Sequence, residues 1–133
     1  MRIVPDLHMH STASDGTDTP EQLLQKVRQA GINWFSLTDH DTYQGAEEIL
    51  PKVSGDPVLH FVMGVELSCK DAKGKYHVLG YRFDPDSPSM RRIVKKAHEN
   101  RTEKVLGRLR FLEEQYGFTF TPKEMRRGRT RTN

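Results

Sequence analysis

A His-x-His pair near the start of the sequence is the first arrangement that could bind a metal ion. His8 and His10 flank Met9 and follow a short apolar run. Residues two apart in a strand face the same side, so the two imidazoles would lie together at a spacing that suits one ion. Because such pairs are common by chance, two surface histidines is the alternative interpretation. The pair therefore needs support from the rest of the chain.

Two further candidates lie at the ends of predicted strands. His40 follows the apolar segment 32–37, and Glu66 lies near the end of the apolar segment 58–67. Ligands and metals of parallel α/β folds bind at the carboxyl edge of the sheet, so we expect both residues to lie beside the histidine pair. Glu66 could instead be a solvated carboxylate. Its apolar neighbours favour burial, and a buried carboxylate needs a partner.

Four more polar residues have interpretations that the sequence leaves open. Asp15 precedes a glycine, as a turn-forming residue does, and His77 at the start of a predicted strand is ambiguous by itself. Asp39 and Asp41 could orient the second ring nitrogen of His40, or they could cap the helix that follows.

The other histidines and the cysteine receive no role in the predicted site. His60 would alternate with apolar neighbours in a strand, and His98 lies on a predicted helix, so we expect both to be structural or exposed. Cys69 has no second thiol to pair with, so we expect a packed or idle side chain and no intrachain disulfide. Together with a start unlike a signal peptide, this predicts a cytoplasmic protein.

The elements that would position these residues alternate between strand and helix. Thr19, Pro20 and Gln22 have the form of a capping box, and Gly31 favours the end of that helix. A long helix is predicted from Ser87 onward, ending at about Gly117. The other predicted elements are a strand at 3–7, a strand at 32–37, a helix at 43–50 ended by Pro51, a strand at 58–67, a turn at 71–74 and a return strand at 76–83. This order predicts an α/β fold with a mainly parallel sheet.

Composition and charge exclude several classes of protein. The chain has 133 residues, 35% of them hydrophobic and 29% charged, which fits one folded domain with a modest core. No apolar run approaches the roughly 20 residues of a membrane span. The net charge of +3 depends on four arginines in residues 126–133, a segment without acids, and would be 3 − 4 = −1 without them. We expect this basic tail to be disordered; a nucleic-acid binder led by the tail is a rival hypothesis.

Four segments taken together resemble the PHP family, the polymerase and histidinol phosphatase superfamily of metal-dependent phosphoesterases. They are Asp-Leu-His-Met-His-Ser-Thr-Ala-Ser-Asp-Gly at 6–16, Thr-Asp-His-Asp-Thr at 38–42, Gly-Val-Glu at 64–66 and His-Val-Leu-Gly-Tyr at 77–81. The resemblance covers residues 1 to about 85. It implies the N-terminal portion of a distorted, seven-stranded β/α barrel with up to three divalent ions, manganese, zinc or iron, at its mouth.

The resemblance also implies a ligand set and a reaction. One ion would be held by His8, His10 and Glu66, a second by Glu66 as a bridge together with His77, and a third by Asp15 and His40. It is the resemblance that makes Asp15 an expected ligand. The implied reaction is hydrolysis of a phosphate ester by metal-bound hydroxide, without a side-chain nucleophile.

The segment after residue 86 bears on the substrate. The predicted organisation is a metal-binding half at 1–86, a helical segment at 87–125 and the basic tail at 126–133. The helical segment resembles the start of the insertion in stand-alone PHP proteins that act on nucleoside phosphates, nucleotide bisphosphates and short RNA 5′ ends. A nucleotide-like molecule or a short oligonucleotide is therefore the first choice of substrate. The alternatives are a histidinol-phosphate phosphatase, a polymerase-associated proofreading domain and a non-catalytic metal-binding fragment.

The sequence departs from the family after residue 85. The later His motif and the C-terminal Asp-x-His motif have no counterpart, and about four strands are predicted where the family has seven. We therefore expect a first half of the family domain that has little activity by itself and pairs with a second copy or with a missing C-terminal half.

Overall fold

The computed structural model describes residues 1–125 and has a mixed α/β architecture. The predicted basic tail at 126–133 lies outside the described residues. In chain order the elements are β1 (Pro5–Asp6), α1 (Pro20–Gln29), β2 (Trp34–Phe35), α2 (Gln44–Val53), β3 (His60–Phe61), β4 (Gly64–Lys70), β5 (Lys75–Tyr81) and α3 (Pro88–Tyr116). A last helical turn covers residues 122–125.

Three short strands form a parallel sheet in the order β1-β2-β3. Parallel hydrogen bonding continues past the strand ends, since the amide of Ser36 donates to Asp6 O (3.1 Å) and the amide of Thr38 donates to Met9 O (2.8 Å). The segments that leave β1 and β2 therefore run side by side towards the same edge of the sheet. This confirms the prediction of a mainly parallel sheet in the first part of the chain.

The predicted single strand at 58–67 is wrong, because the chain leaves the parallel sheet within it. The amide of Val62 still donates to Phe35 O (2.9 Å), but β4 pairs with β5 as an antiparallel hairpin. Gly64 lies against the segment that follows β2, and a Cβ there would lie 2.1 Å from Ser36 Oγ and 2.9 Å from Thr38 Cγ2. A side chain at this position would therefore have to displace its neighbours. The hairpin contacts the rest of the fold through a parallel bridge between His40 and Glu66.

The first two helices form for different reasons. In α1 the predicted capping box is present: Thr19 Oγ1 accepts from the amide of Gln22, whose side chain accepts from the amide of Thr19. In α2 the expected end at Pro51 is wrong, because this proline lies inside the helix. The buried face of α2 continues to Val53, so packing offsets the hydrogen bond that Pro51 cannot donate.

The core lies where α1 and α2 pack on the parallel sheet. Its buried side chains are Leu24, Val27, Phe35, Leu37, Tyr43, Ala46, Ile49, Val53, Leu59, Met63 and Val65. The long helix α3 contributes less. It begins and ends as predicted, with Gly117 at φ 68°, but its only buried residue is Val105. Within residues 1–125 no helix combines the length and the apolar character that a bilayer crossing requires.

Candidate metal centre

All six residues predicted for the metal site lie together at one edge of the fold. The histidine pair follows β1 and His40 follows β2, while β4 and β5 supply one residue each and the loop after the histidine pair supplies an aspartate. The six are His8, His10, Asp15, His40, Glu66 and His77. The edge is the carboxyl edge of the parallel sheet, as predicted, but the hairpin rather than a third parallel strand brings Glu66 and His77 to it.

The carboxylate of Glu66 lies close to several of the histidine side chains. Its Oε2 lies 2.9 Å from His8 Nε2 and 2.9 Å from His10 Nε2, and its Oε1 lies 3.5 Å from His77 Nδ1. The residue is 6% exposed. Burial alone would raise the pKa of its carboxyl, but the hydrogen bond with His8 and the nearby histidine charges outweigh burial and lower that pKa. Glu66 is therefore an anionic carboxylate inside the protein, as a ligand has to be.

Asp15 faces the other side of the same cluster. Its Oδ1 lies 3.5 Å from His10 Nδ1, and its Oδ2 lies 3.3 Å from His40 Nε2. The rings of His10 and His40 stack with their centres 4.5 Å apart. The position of Asp15 between two imidazoles supports the role that the family resemblance implied over that of a simple turn residue.

Three groups of potential ligand atoms can be drawn within this cluster, and each shares one residue with each of the others. In every group the ligand atoms lie within 4.8 Å of one another. The groups are His8 with His10 and Glu66, His10 with Asp15 and His40, and His40 with Glu66 and His77. Such sharing is what bridged, closely spaced cations require.

Two observations indicate that the six clustered side chains are suitable ligands for divalent cations. The Nδ1 atoms of His10 and His40 are buried and form no hydrogen bond within residues 1–125, although a buried nitrogen without a hydrogen bond is costly. Burial, the largest influence, lowers the pKa of His40 despite the opposing charges of Asp15 and Glu66. His40 is thus a neutral imidazole at neutral pH, which is the form that binds a metal.

Asp39 fixes the loop that carries Asp15. Its carboxylate accepts hydrogen bonds from the amide of Ser11 (2.6 Å), from Ser11 Oγ (2.7 Å) and from Ser14 Oγ (2.7 Å). Neither predicted role for Asp39 is found, because its acceptor atoms are directed to these two serines and not to His40 or to α2. A partner 28 positions away gave no signal in the sequence.

Asp41 likewise neither orients His40 nor caps α2. It lies in the left-handed region at φ 55° and accepts from the amide and the hydroxyl of Ser68, at 2.8 and 2.7 Å. It also accepts from Arg101 Nε on α3. Burial tends to raise the pKa of Asp41, but the hydrogen bonds from Ser68 and Arg101 outweigh it and keep that pKa low. Sequence reasoning did not identify Arg101.

The residues given no site role lie outside the cluster. His60 stacks on Trp34 with ring centres 4.7 Å apart, and His98 is exposed on α3. Cys69 is a free, exposed thiol on β4, so of the two alternatives expected for it, packed or idle, the packed one is wrong.

Among curated proteins, this chain is similar to enzymes that are named for the cleavage of phosphate esters. A 5′-3′ exoribonuclease from Haemophilus influenzae is 34% identical over 76% of this chain and 36% of its own length. A phosphoribosyl 1,2-cyclic phosphate 1,2-diphosphodiesterase from Eggerthella lenta is 33% identical over 86% of this chain and 44% of its own length. The chain thus spans less than half the length of these relatives.

The fold has counterparts among solved structures. A sulfate-bound amidohydrolase from Chromobacterium violaceum superimposes with a TM-score of 0.77 and 26% identity, over 95% of this chain and 47% of that protein. The PHP domain family matches residues 6–125, which include every residue of the cluster and the whole of α3. The chain belongs to the PHP domain family.

Proposed function

We propose that this chain carries the metal centre of a phosphoesterase that hydrolyses phosphate esters of nucleotides. The observation that carries the proposal is the position of Glu66, whose two carboxylate oxygens face three imidazoles: the His8 and His10 pair after β1, and His77 on β5. A carboxylate shared in this way suits a cluster of cations, and clustered cations are a common solution for phosphoryl chemistry.

The six clustered residues would hold up to three ions of manganese, zinc or iron, for which imidazole and carboxylate are suitable ligands. When bound, the ions would supply an activated water and neutralise charge on the phosphoryl oxygens. The protein's part is to fix the ligands. Asp39 holds the loop of Asp15, and Asp41 holds the backbone between His40 and the hairpin.

No side-chain nucleophile is needed in this proposal. The hydroxyls of Ser11 and Ser14 lie in the loop after the histidine pair, and both donate to Asp39. Their bonding to a buried carboxylate supports a structural role for both serines.

The two relatives support the choice of substrate. One is named for cleavage of RNA and the other for cleavage of a phosphoribosyl cyclic phosphate, so each name states a phosphate ester of a ribose unit. We therefore rank a nucleotide, a nucleotide bisphosphate or the 5′ end of a short RNA above histidinol phosphate. We also propose that the parallel sheet corresponds to the N-terminal portion of the family's seven-stranded β/α barrel.

The test is a single-turnover assay with the protein in excess, so that slow hydrolysis is also measured. Manganese-loaded chain is mixed with adenosine 3′,5′-bisphosphate, with a 5′-phosphorylated dinucleotide and with histidinol phosphate. We expect metal-dependent release of phosphate or of a nucleotide from the first two substrates. This release should be lost in Glu66→Gln and kept in Glu48→Gln, a matched change at an exposed residue of α2. The proposal would be overturned if Glu66→Gln released phosphate as fast as the unchanged chain. It would also be overturned if AMP, added as a separate ligand, bound with the same affinity in the presence and the absence of metal.

A further inference from the structure

A cavity of about 690 Å³ separates the β4-β5 hairpin from α3 and borders the metal centre. Asp41 and His77 line it on the side of the cluster, and Lys75, Lys104 and Arg108 line it further away. We propose that these last three residues form a second phosphate subsite, which binds a phosphate of the substrate other than the one that is cleaved. This inference rests on the proposed function, because it assumes that the scissile phosphate lies at the metal centre.

The cavity is basic and its charge is not neutralised internally. Its lining includes five basic side chains, Lys70, Lys75, Arg101, Lys104 and Arg108, and two acidic ones, Asp41 and Glu103. Arg101 is paired with Asp41. Within residues 1–125 none of the three proposed subsite residues forms a salt bridge, so their charges remain available to an anion.

The three cations come from two elements that face the same space. Lys75 begins β5, while Lys104 and Arg108 lie four residues apart on α3. Like charges at this helical spacing destabilise a helix, so the pair has a cost that a purely structural role does not explain. A phosphate between the hairpin and the helix would remove that repulsion and accept hydrogen bonds from both sides.

The basic strip continues into a second groove on α3, away from His77. Lys75, Lys104 and Arg108 line this groove as well, together with Phe111 and Leu112. Phe111 is 55% exposed. Cations followed by an exposed aromatic ring suit a ligand that carries both phosphate and a base, since bases stack on aromatic side chains. A second phosphate could belong to a nucleoside bisphosphate or to the next nucleotide of an RNA, and the chemistry of recognition is the same.

Binding measurements on the manganese-loaded chain at physiological salt test the subsite and distinguish a nucleoside bisphosphate from an RNA as the source of the second phosphate. The ligands are AMP, adenosine 3′,5′-bisphosphate and a 5′-phosphorylated diadenylate, titrated calorimetrically. The test variant is Lys104→Gln/Arg108→Gln. The control is Lys95→Gln/Lys96→Gln, which removes the same charge from exposed positions of α3 that do not line the cavity.

We expect the test variant to bind the two-phosphate ligands about tenfold more weakly, while AMP changes by less than about twofold and the control variant changes neither. If the test variant loses affinity only for the bisphosphate, the second phosphate belongs to a nucleotide. If it loses affinity only for the diadenylate, the second phosphate belongs to an oligonucleotide. An equal loss for AMP, or the same loss in the control variant, would overturn the inference.

A titration of the metal-free chain with inorganic pyrophosphate keeps this test independent of the proposed function. If the subsite exists, pyrophosphate shifts the amide NMR signals around residues 75 and 104–108 in the unchanged chain and not in the test variant. An absence of these shifts would refute the subsite, whereas metal-independent binding of AMP would refute the function and leave the subsite result standing.

Discussion

Arg101 Nε on the long helix α3 donates to the buried Oδ2 of Asp41 over 2.9 Å, across 60 positions of sequence. Asp41 directly follows His40, so α3 is bonded to the backbone that presents a candidate metal ligand. Arg101 also donates to Ser68 Oγ on β4. The helix therefore contributes to the framework of the candidate metal centre, and the domain boundary between residues 86 and 87 stays a prediction.

Replacing Asp41 should destabilise the fold strongly. Asp41→Ala removes the acceptor of Arg101 and of Ser68 and places alanine at φ 55°, so we expect a loss of about 3 kcal/mol in the free energy of unfolding. Urea denaturation measures the loss. Asp41→Asn is the control, because asparagine tolerates the left-handed region and retains one acceptor oxygen. Equal stability of the alanine variant and the unchanged chain would show that this contact contributes nothing.

Gly16 is required by close packing under the histidine pair. A Cβ at this position would lie 2.1 Å from the carbonyl oxygen of His10. Gly16→Ala must therefore displace the loop that carries Asp15, and we expect weaker metal binding and a loss of about 1–3 kcal/mol in stability. Gly31→Ala provides the comparison, since Gly31 has φ +69° and nothing within 4 Å of its Cβ position. It should lower stability without changing metal affinity as measured by calorimetric titration.

Replacing Gly107 should increase the stability of the fold, whereas the two preceding changes should lower it. It lies inside α3, and an added Cβ would have nothing within 4 Å. Alanine should stabilise the helix by about 1 kcal/mol, because it loses less backbone freedom on folding than glycine. Thermal unfolding followed by circular dichroism should show a higher midpoint for Gly107→Ala. A lower midpoint would mean that α3 needs flexibility or a bend at this position.

Asp56 should make stability depend on pH in the acid range. Hydrogen bonds from the amides of Leu59 and Val58, followed by that from Arg28, lower the pKa of this carboxyl from 3.8 to about 2. A carboxylate whose pKa is lower in the folded chain contributes fully above the unfolded value and loses that contribution as pH falls through the folded one. Asp56→Ala should thus be less stable than the unchanged chain at pH 6, and the difference should shrink between about pH 4 and about pH 2. A difference that is constant across this range would contradict the assignment.

Features that depend on neighbouring residues could be predicted from the sequence. The capping box at Thr19 and Gln22 was predictable because both partners lie within one helical turn. His8, His10 and His40 were predictable because the ends of parallel strands meet at one edge of the sheet. Asp15, Glu66 and His77 were predictable because the spacing of the motifs resembles the PHP family.

Features that depend on distant contacts could not be predicted. The break between β3 and β4 depends on how closely Gly64 approaches Ser36, and the roles of Asp39 and Asp41 depend on serines 25 to 28 positions away. An apolar run gives no information about such partners. Sequence patterns therefore predicted which six candidate ligands would lie together and missed the residues that hold them there.

If Glu66 is shared between cations held by the surrounding histidines, as proposed, its loss should lower the number of ions that the chain binds. The chain is loaded with manganese, zinc or iron, freed of excess metal by gel filtration, and analysed for ions per chain by mass spectrometry of the elements. Variants are Glu66→Gln, His8→Ala and His10→Ala, with His98→Ala as a control on exposed α3. We predict more than one ion in the unchanged chain and in the control, a greater loss in Glu66→Gln than in His8→Ala, and near-unchanged folding of all variants by circular dichroism. The same number of ions in Glu66→Gln as in the unchanged chain would contradict the account.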